Sequence, residues 1–179
     1  TTVSGWTYLV RRTNFTGAVF TYNIYSSADG VKYEKIYTGE FDYGENFSDI
    51  GEKRASWGDK KMKKIKIEIL TSQGGYGSAA EIGFLSGSKA DGNNKMGSEN
   101  VSQSGKKLVD RTGWSVKASS DRGDTAKNII DGDKSNYWHS YFAAEGAAIT
   151  ERDNPPYDIE ISFGGEETVS GIVIYQRAD

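Results

Sequence analysis

Residues 2–11 read TVSGWTYLVR, and residues 168–177 read TVSGIVIYQR. Aligned without gaps, Thr2, Val3, Ser4, Gly5 and Arg11 fall on Thr168, Val169, Ser170, Gly171 and Arg177, with apolar or β-prone residues between. Such an internal repeat has to be weighed before any fold is drawn, because it says which parts of the chain are equivalent. The repeated unit has the length of one strand. A sheet whose two faces differ offers such a strand one register, so one twin is expected to take a central position. That position is expected beside the strand-like VFTYNIY at 19–25. The other twin should then be frayed, on an edge, or lodged in a neighbouring molecule.

Composition carries the same β character outward. Eleven Tyr, seven Phe, four Trp and 22 Gly against two Pro describe aromatic strands punctuated by glycine turns. At 179 residues the chain can bury a real core as one sizeable domain or two small ones. No apolar run approaches the roughly 20 residues needed to cross a bilayer, and a soluble, mature segment is expected. The formal charge of -3 does not suggest a nucleic-acid partner. In DKKMKKIKIEI (59–69) Ile65, Ile67 and Ile69 alternate with Lys64, Lys66 and Glu68, so the lysines are expected on the solvated face of a strand. The chain contains no cysteine, which excludes disulfides, thiolate metal ligands and thiol nucleophiles.

Strand-like segments follow in order: GAVFTYNIYSS, the turn ADG, VKYEKIYTGEF, MKKIKIEILTS and AAEIGFL. From Ser86 to Lys107 the only apolar residues are Ala90, Met96 and Val101, the composition of a flexible linker. Beyond it come GWSVKASS, the turn region DGDKSNYWHS, a loop rich in alanine and charge from Phe142 to Asn154, and the strands YDIEISFG and TVSGIVIYQR. The expected class is all-β.

The second segment, GWSVKASSDRGDTAKNIIDGDKSNYWHS (113–140) with NPPYDIEISFG and IVIYQR, resembles the first half of a discoidin domain, the coagulation factor 5/8 type C domain. The marks are Trp114 followed by Ser119-Ser120, Asp131-Gly132-Asp133 followed by Trp138-His139-Ser140, and Tyr175-x-Arg177 closing a strand. The first segment is similar to the second half of that fold: Tyr25 to Gly30 match its Y-x-S-x-D-G signature, and GSAAEIGF (77–84) its last strand. The resemblance covers nearly everything outside the linker, with the halves in reversed order. A chain that starts inside one tandem copy and stops inside the next would carry the hinge strand twice.

The resemblance implies a jelly-roll β-sandwich of the galactose-binding-domain-like kind, circularly permuted. Residues 1–86 would form its C-terminal half, 87–107 the linker and 108–179 its N-terminal half, because half a sandwich leaves an apolar sheet face bare. A flexible linker of that length spans roughly 25 Å and could close the gap. A domain-swapped dimer is the rival to a monomer.

No catalytic constellation stands out. His139 is the single histidine, without a serine elbow or cysteine partner, and the carboxylates are scattered singly. A non-enzyme is expected. NIIDGDKSNYW packs a carboxylate, a glycine turn and further oxygen donors into one loop, which suits a hard cation such as calcium, although an Asx turn without an ion has the same composition. Relatives hold a structural calcium here. By the resemblance its ligands would be the Asn128 carbonyl, the Asp131 side chain, the Asp133 carbonyl and Asn136, closed by the Ala80 carbonyl and the Glu81 carboxylate. Asn136 departs from the family's usual threonine.

Trp57, Trp114 and Trp138 are expected as packing residues. Tyr76, among small residues in SQGGYGS, is expected as an aromatic exposed on a loop tip. The resemblance implies a non-catalytic carbohydrate-binding module, similar to family 32 modules and the discoidin domains of bacterial chitobiase-like proteins. It would be secreted, periplasmic or on a cell surface. A terminal sugar would meet Arg11 or its twin Arg177, Asn14, Tyr76 and His139, although His139 could equally pin the loop beneath. Thr16 before Gly17, where many galactose binders carry Asn, speaks against galactose itself. The alternative is a protein- or membrane-surface adhesion module of the factor 5/8 C type. Its loops would carry large apolar tips, and here only Phe15, Tyr76 and Phe142 are on offer.

Overall fold

The computed structural model describes residues 5–9, 16–45, 52–86, 107–133, 135–146, 148–169 and 171–175. Its strands are β1 (Gly5–Leu9), β2 (Val19–Ser27), β3 (Glu34–Glu40), β4 (Glu52–Ser56), β5 (Lys60–Ser72), β6 (Ser78–Ala79) and β7 (Glu81–Ser86). Beyond residues 87–106 come β8 (Lys107–Leu108), whose first residue falls within the expected linker, β9 (Ser115–Ala118), β10 (Trp138–His139), β11 (Phe142–Glu145), β12 (Ala148–Arg152), β13 (Tyr157–Val169) and β14 (Gly171–Tyr175). The described chain is all-β and sandwich-like, with two short 3-10 turns at Gln73–Gly75 and Ala126–Ile130.

One antiparallel sheet runs β3-β2-β5-β13-β9. Its alternation is what the sequence dictates: Ile65, Ile67 and Ile69 on β5 are buried, as are Tyr157, Ile159 and Ile161 on β13. The opposite face is polar and paired. Lys64 Nζ reaches Glu160 at 3.0 Å, Lys66 Nζ reaches Asp158 at 3.4 Å, and Glu68 accepts from Asn23 Nδ2 at 2.7 Å and from the Tyr25 hydroxyl at 2.9 Å. The lysine stretch is therefore one side of a charge-paired sheet surface.

The second sheet contains β4, β14, β7 and β8, together with β1. Between the sheets lies one apolar cluster that includes Ile24, Ile67, Ile82, Phe84, Ile161 and Ile172. Each sheet takes strands from both sides of residues 87–106. β13 pairs with β5 and β14 with β7, while Trp114 meets Phe84 edge-on at 5.2 Å. Trp138 and Trp57 are buried, and Trp114 packs against the core half-exposed.

Two expectations need correction. Neither twin lies beside VFTYNIY: both edges of β2 are taken, by β3 and β5, and β1 and β14 sit in the other sheet against β4 and β7. The segment 142–154 is not only loop. β11 and β12 form an antiparallel hairpin across Gly146, whose φ of +60° opens the turn in the left-handed region that glycine tolerates. The exposed alanines and charges there lack the alternation that announces a half-buried strand.

Candidate functional site

Three segments meet at one end of the sandwich. Gly17 N donates to Gln73 O at 3.0 Å, Gln73 N to Ala18 O at 2.8 Å, and Ser78 Oγ to Thr16 O at 3.1 Å. Gly17 has φ +85°, and a Cβ there would lie 2.4 Å from Ser78 Oγ, so this junction requires glycine twice over. On the other side β6 pairs with β10 through Trp138↔Ala79 and His139↔Ser78. Ser140 N donates to Gly77 O at 2.8 Å, and Gly77 N to Ser140 Oγ at 3.0 Å.

This clamp gathers three rings. Tyr76 lies 5.5 Å from His139 and 6.1 Å from Phe142, and His139 lies 4.9 Å from Phe142. The Arg122 guanidinium stands over Phe142 at 4.0 Å and that of Arg152 over Tyr76 at 5.0 Å, contacts in which cation and ring quadrupole attract. Both arginines are anchored: Arg122 Nε donates to Phe142 O at 3.1 Å and Arg152 Nη1 to Gly74 O at 2.6 Å. His139 Nδ1 faces Ser140 O at 2.7 Å; a carbonyl only accepts, so this nitrogen carries the proton. Tyr76 is thus half-buried in a cluster and not a lone exposed tip. Gly74 and Gly75, at φ +70° and +71°, fold the loop back on itself.

The floor below is rigidly hydrogen-bonded. Buried Trp138 donates Nε1–H to Ser120 O at 2.9 Å. Ser120 Oγ donates to Asp153 at 2.7 Å and accepts from Tyr141 N at 2.8 Å. The Tyr157 hydroxyl is shared between Gly75 O at 2.8 Å and Asp153 O at 2.9 Å. Burial raises the Tyr157 pKa above the usual tyrosine value, which keeps this hydroxyl a donor.

At a second locus, Glu81 on β7 meets the 128–136 loop. Its side chain is fully buried; Oε1 accepts from Gly132 N at 2.7 Å, and Oε2 is ion-paired with Arg111 Nη2. Burial pushes the Glu81 carboxyl up to about 7, against the pull of Arg111 and the Gly132 N–H, and Asp131 adds to the rise. Asp131 accepts from Asp133 N and from Asn136 Nδ2, both at 2.8 Å. Asn136 Oδ1 is buried with no hydrogen-bond partner. Asn128 turns its amide to Tyr137 O at 3.1 Å, while Ala80 is buried beside Glu81. Among the described residues no three His, Asp or Glu side chains converge as a metal cluster. The Glu81 and Asp131 carboxylates, with the Asn136 amide held against Asp131 through its Nδ2, fit a hard cation in chemical type. Arg111 already places one positive charge there.

Of the anticipated site residues, Tyr76 and His139 are brought into contact, and Glu81 is joined to the loop of Asp131, Asp133 and Asn136. Arg11, Asn14 and Arg177 lie outside the described residues. Sequence reasoning missed Arg111, Arg122 and Arg152 as site residues, and placed Phe142 on a candidate loop only. Arg111 and Arg122 sit in DRTG and DRGD, where Asp110 accepts from Thr112 N in an Asx turn and Asp121 accepts from Thr125 N and Ala126 N; an aspartate ahead of a glycine turn was the available signal. No family model, curated protein or solved structure matches the chain.

Proposed function

We propose that this chain is a non-catalytic carbohydrate-binding module of discoidin type, a jelly-roll sandwich with its halves in permuted order. The supporting observation is the cluster of Tyr76, His139 and Phe142 flanked by the guanidinium groups of Arg122 and Arg152. A sugar ring presents C–H patches and a rim of hydroxyls, and is held where ring surface and planar N–H donors alternate on a fixed frame. The two arginines bring such donors, and the hydrogen bonds to Gly74 and Phe142 carbonyls restrict their freedom before a ligand arrives. A structural calcium would be held by Glu81, Asp131 and Asn136 with the Ala80, Asn128 and Asp133 carbonyls. It would supply positive charge that ties β7 to the 128–136 loop beside or in place of Arg111.

Binding through so small a patch is expected in the micromolar to millimolar range, about -8 to -4 kcal/mol. The test is titration of galactose, N-acetylgalactosamine, N-acetylglucosamine and their oligomers into wild type, Tyr76→Ala and Phe142→Ala. At least one sugar should bind, and each alanine variant should weaken it about fivefold, the loss of a ring contact of roughly 1 kcal/mol. A panel in which nothing binds, or in which both variants hold the sugar as well as wild type, removes the reading. A vesicle pull-down separates it from membrane adhesion. Among the described residues the large apolar side chains left exposed are Val31 and Ile149, on separate turns and hairpins, which favours the sugar.

A further inference from the structure

The twin segments noted in the sequence are registered to one place. β1 pairs with β4 through Trp6↔Ala55, Thr7↔Arg54 and Tyr8↔Lys53, and meets β7 at Trp6↔Phe84. β14 pairs with β4 through Ile172↔Ala55, Val173↔Arg54 and Ile174↔Lys53, and meets β7 at Ile172↔Phe84. These are the residues that the gap-free repeat aligns: Trp6 with Ile172, Thr7 with Val173, Tyr8 with Ile174. The far edge of β7 is already taken, because β8 pairs there and Val109 N donates to Phe84 O at 3.1 Å. Both twins therefore reach Phe84 from the β4 side.

A strand edge carries one row of N–H and C=O groups and accepts one neighbour in one register. Two strands that share three partners on β4 and Phe84 on β7 exclude each other there, although β14 pairs with five residues of β7 and β1 with one. Both sequences satisfy the same demands: a glycine at the first position, then β-branched and aromatic residues whose alternation fits a strand covered by core on one face. Ile172, in the slot, is fully buried.

We propose that β1 and β14 are interchangeable occupants of a single slot between β4 and β7, and that the strand left out serves as a donor for the same slot in a second copy of this chain. The second copy follows from identity of contacts. A donated strand makes the hydrogen bonds and packing of the resident strand, so exchange between chains costs association entropy and no native contact. Contacts of that kind are head-to-tail, one chain's spare strand entering the next chain's slot, and they extend as the local concentration of chains rises.

The absence of cysteine lets introduced pairs report occupancy cleanly. Arg54 is exposed and is the register partner of both Thr7 and Val173, so cysteines at 7, 54 and 173 report which strand is paired there. In Thr7→Cys/Arg54→Cys/Val173→Cys under mild oxidation, both the 7–54 and the 54–173 disulfides should appear in the peptide map; a single species would overturn interchangeability. Unfolding is the second readout. Trp6→Pro and Ile172→Pro each delete one candidate strand. Each should keep a cooperative transition, and the double variant should lose it; collapse on Ile172→Pro alone with Trp6→Pro silent would make β14 the sole occupant. For the donor role, an Arg54→Cys chain is mixed with a Val173→Cys chain. A cross-chain disulfide that rises with total concentration, above the collision background set by an Asp124→Cys partner, is the expected result. A yield no greater than that background would confine the exchange to one chain and refute the donor.

Discussion

Replacing Glu81 by glutamine isolates the buried carboxylate on which the cation reading depends. The Glu81 carboxyl is held at about 7 by burial, against an ordinary value of 4.5. Between those values the folded state retains a proton that the unfolded chain has released. Stability contributed by this group is therefore complete below about pH 4.5 and is lost as pH rises through about 7. At about 1.4 kcal/mol per pH unit the interval amounts to roughly 3 kcal/mol as an upper limit, the magnitude expected of one buried charge only partly compensated by its partner. Glutamine keeps an oxygen for the Gly132 N–H and cannot ionise. It leaves Arg111 without its carboxylate, which adds an offset to the variant's stability and no slope in this range. Urea unfolding of both proteins in chelator from about pH 4 to pH 8 should give curves that draw apart as the wild type weakens. Calcium in the buffer should flatten the wild-type slope, since an ion favours the charged carboxylate and stabilises the fold by linkage. Parallel curves for the two proteins would refute the argument, and a wild-type slope indifferent to calcium would remove the ion from it.

Three further outcomes follow from the packing. Phe84→Ala removes a fully buried ring that touches Trp114 and Phe163 edge-on at 5.2 and 5.0 Å; a loss of about 3–5 kcal/mol in chemical unfolding is expected. Gly77→Ala would set a Cβ 2.7 Å from Trp138 and 3.0 Å from Tyr157. It should cost about 1–3 kcal/mol by overpacking and, by shifting Tyr76, weaken sugar binding in the same titration. Lys66→Gln breaks a surface pair with Asp158 at 3.4 Å, so its effect on the unfolding midpoint should stay under about 1 kcal/mol and shrink further in salt.

Much of the architecture was legible locally. Alternation in Ile65, Ile67 and Ile69 placed β5 and its buried face, and the glycine and Asx turns marked where strands end, because side-chain period and positive φ are properties of a few consecutive residues. The Asp-Gly-Asp loop pointed to a feature that the fold joins to Glu81, 51 residues earlier in the chain. The hairpin of β11 and β12 was not legible, since β12 is exposed throughout and β11 is half-buried only at the adjacent Phe142 and Ala143, so neither carries alternation.

The sequence by itself determined that one strand is written twice, that the fold is all-β, and that Tyr76 and His139 belong to the loops of interest. Only the tertiary structure decided where the twins go, that Arg122 and Arg152 stand over the rings of Phe142 and Tyr76, and that Arg111 faces Glu81. The physical reason is the range of the interactions. Strand pattern and turn chemistry are set by covalent geometry over neighbouring residues. The partner of a strand edge, a ring face or a buried charge is chosen by packing between segments that nothing in the local sequence relates. The twins share partners on β4 and at Phe84, and what separates them is the further pairing each makes, β14 with five residues of β7 and β1 with one.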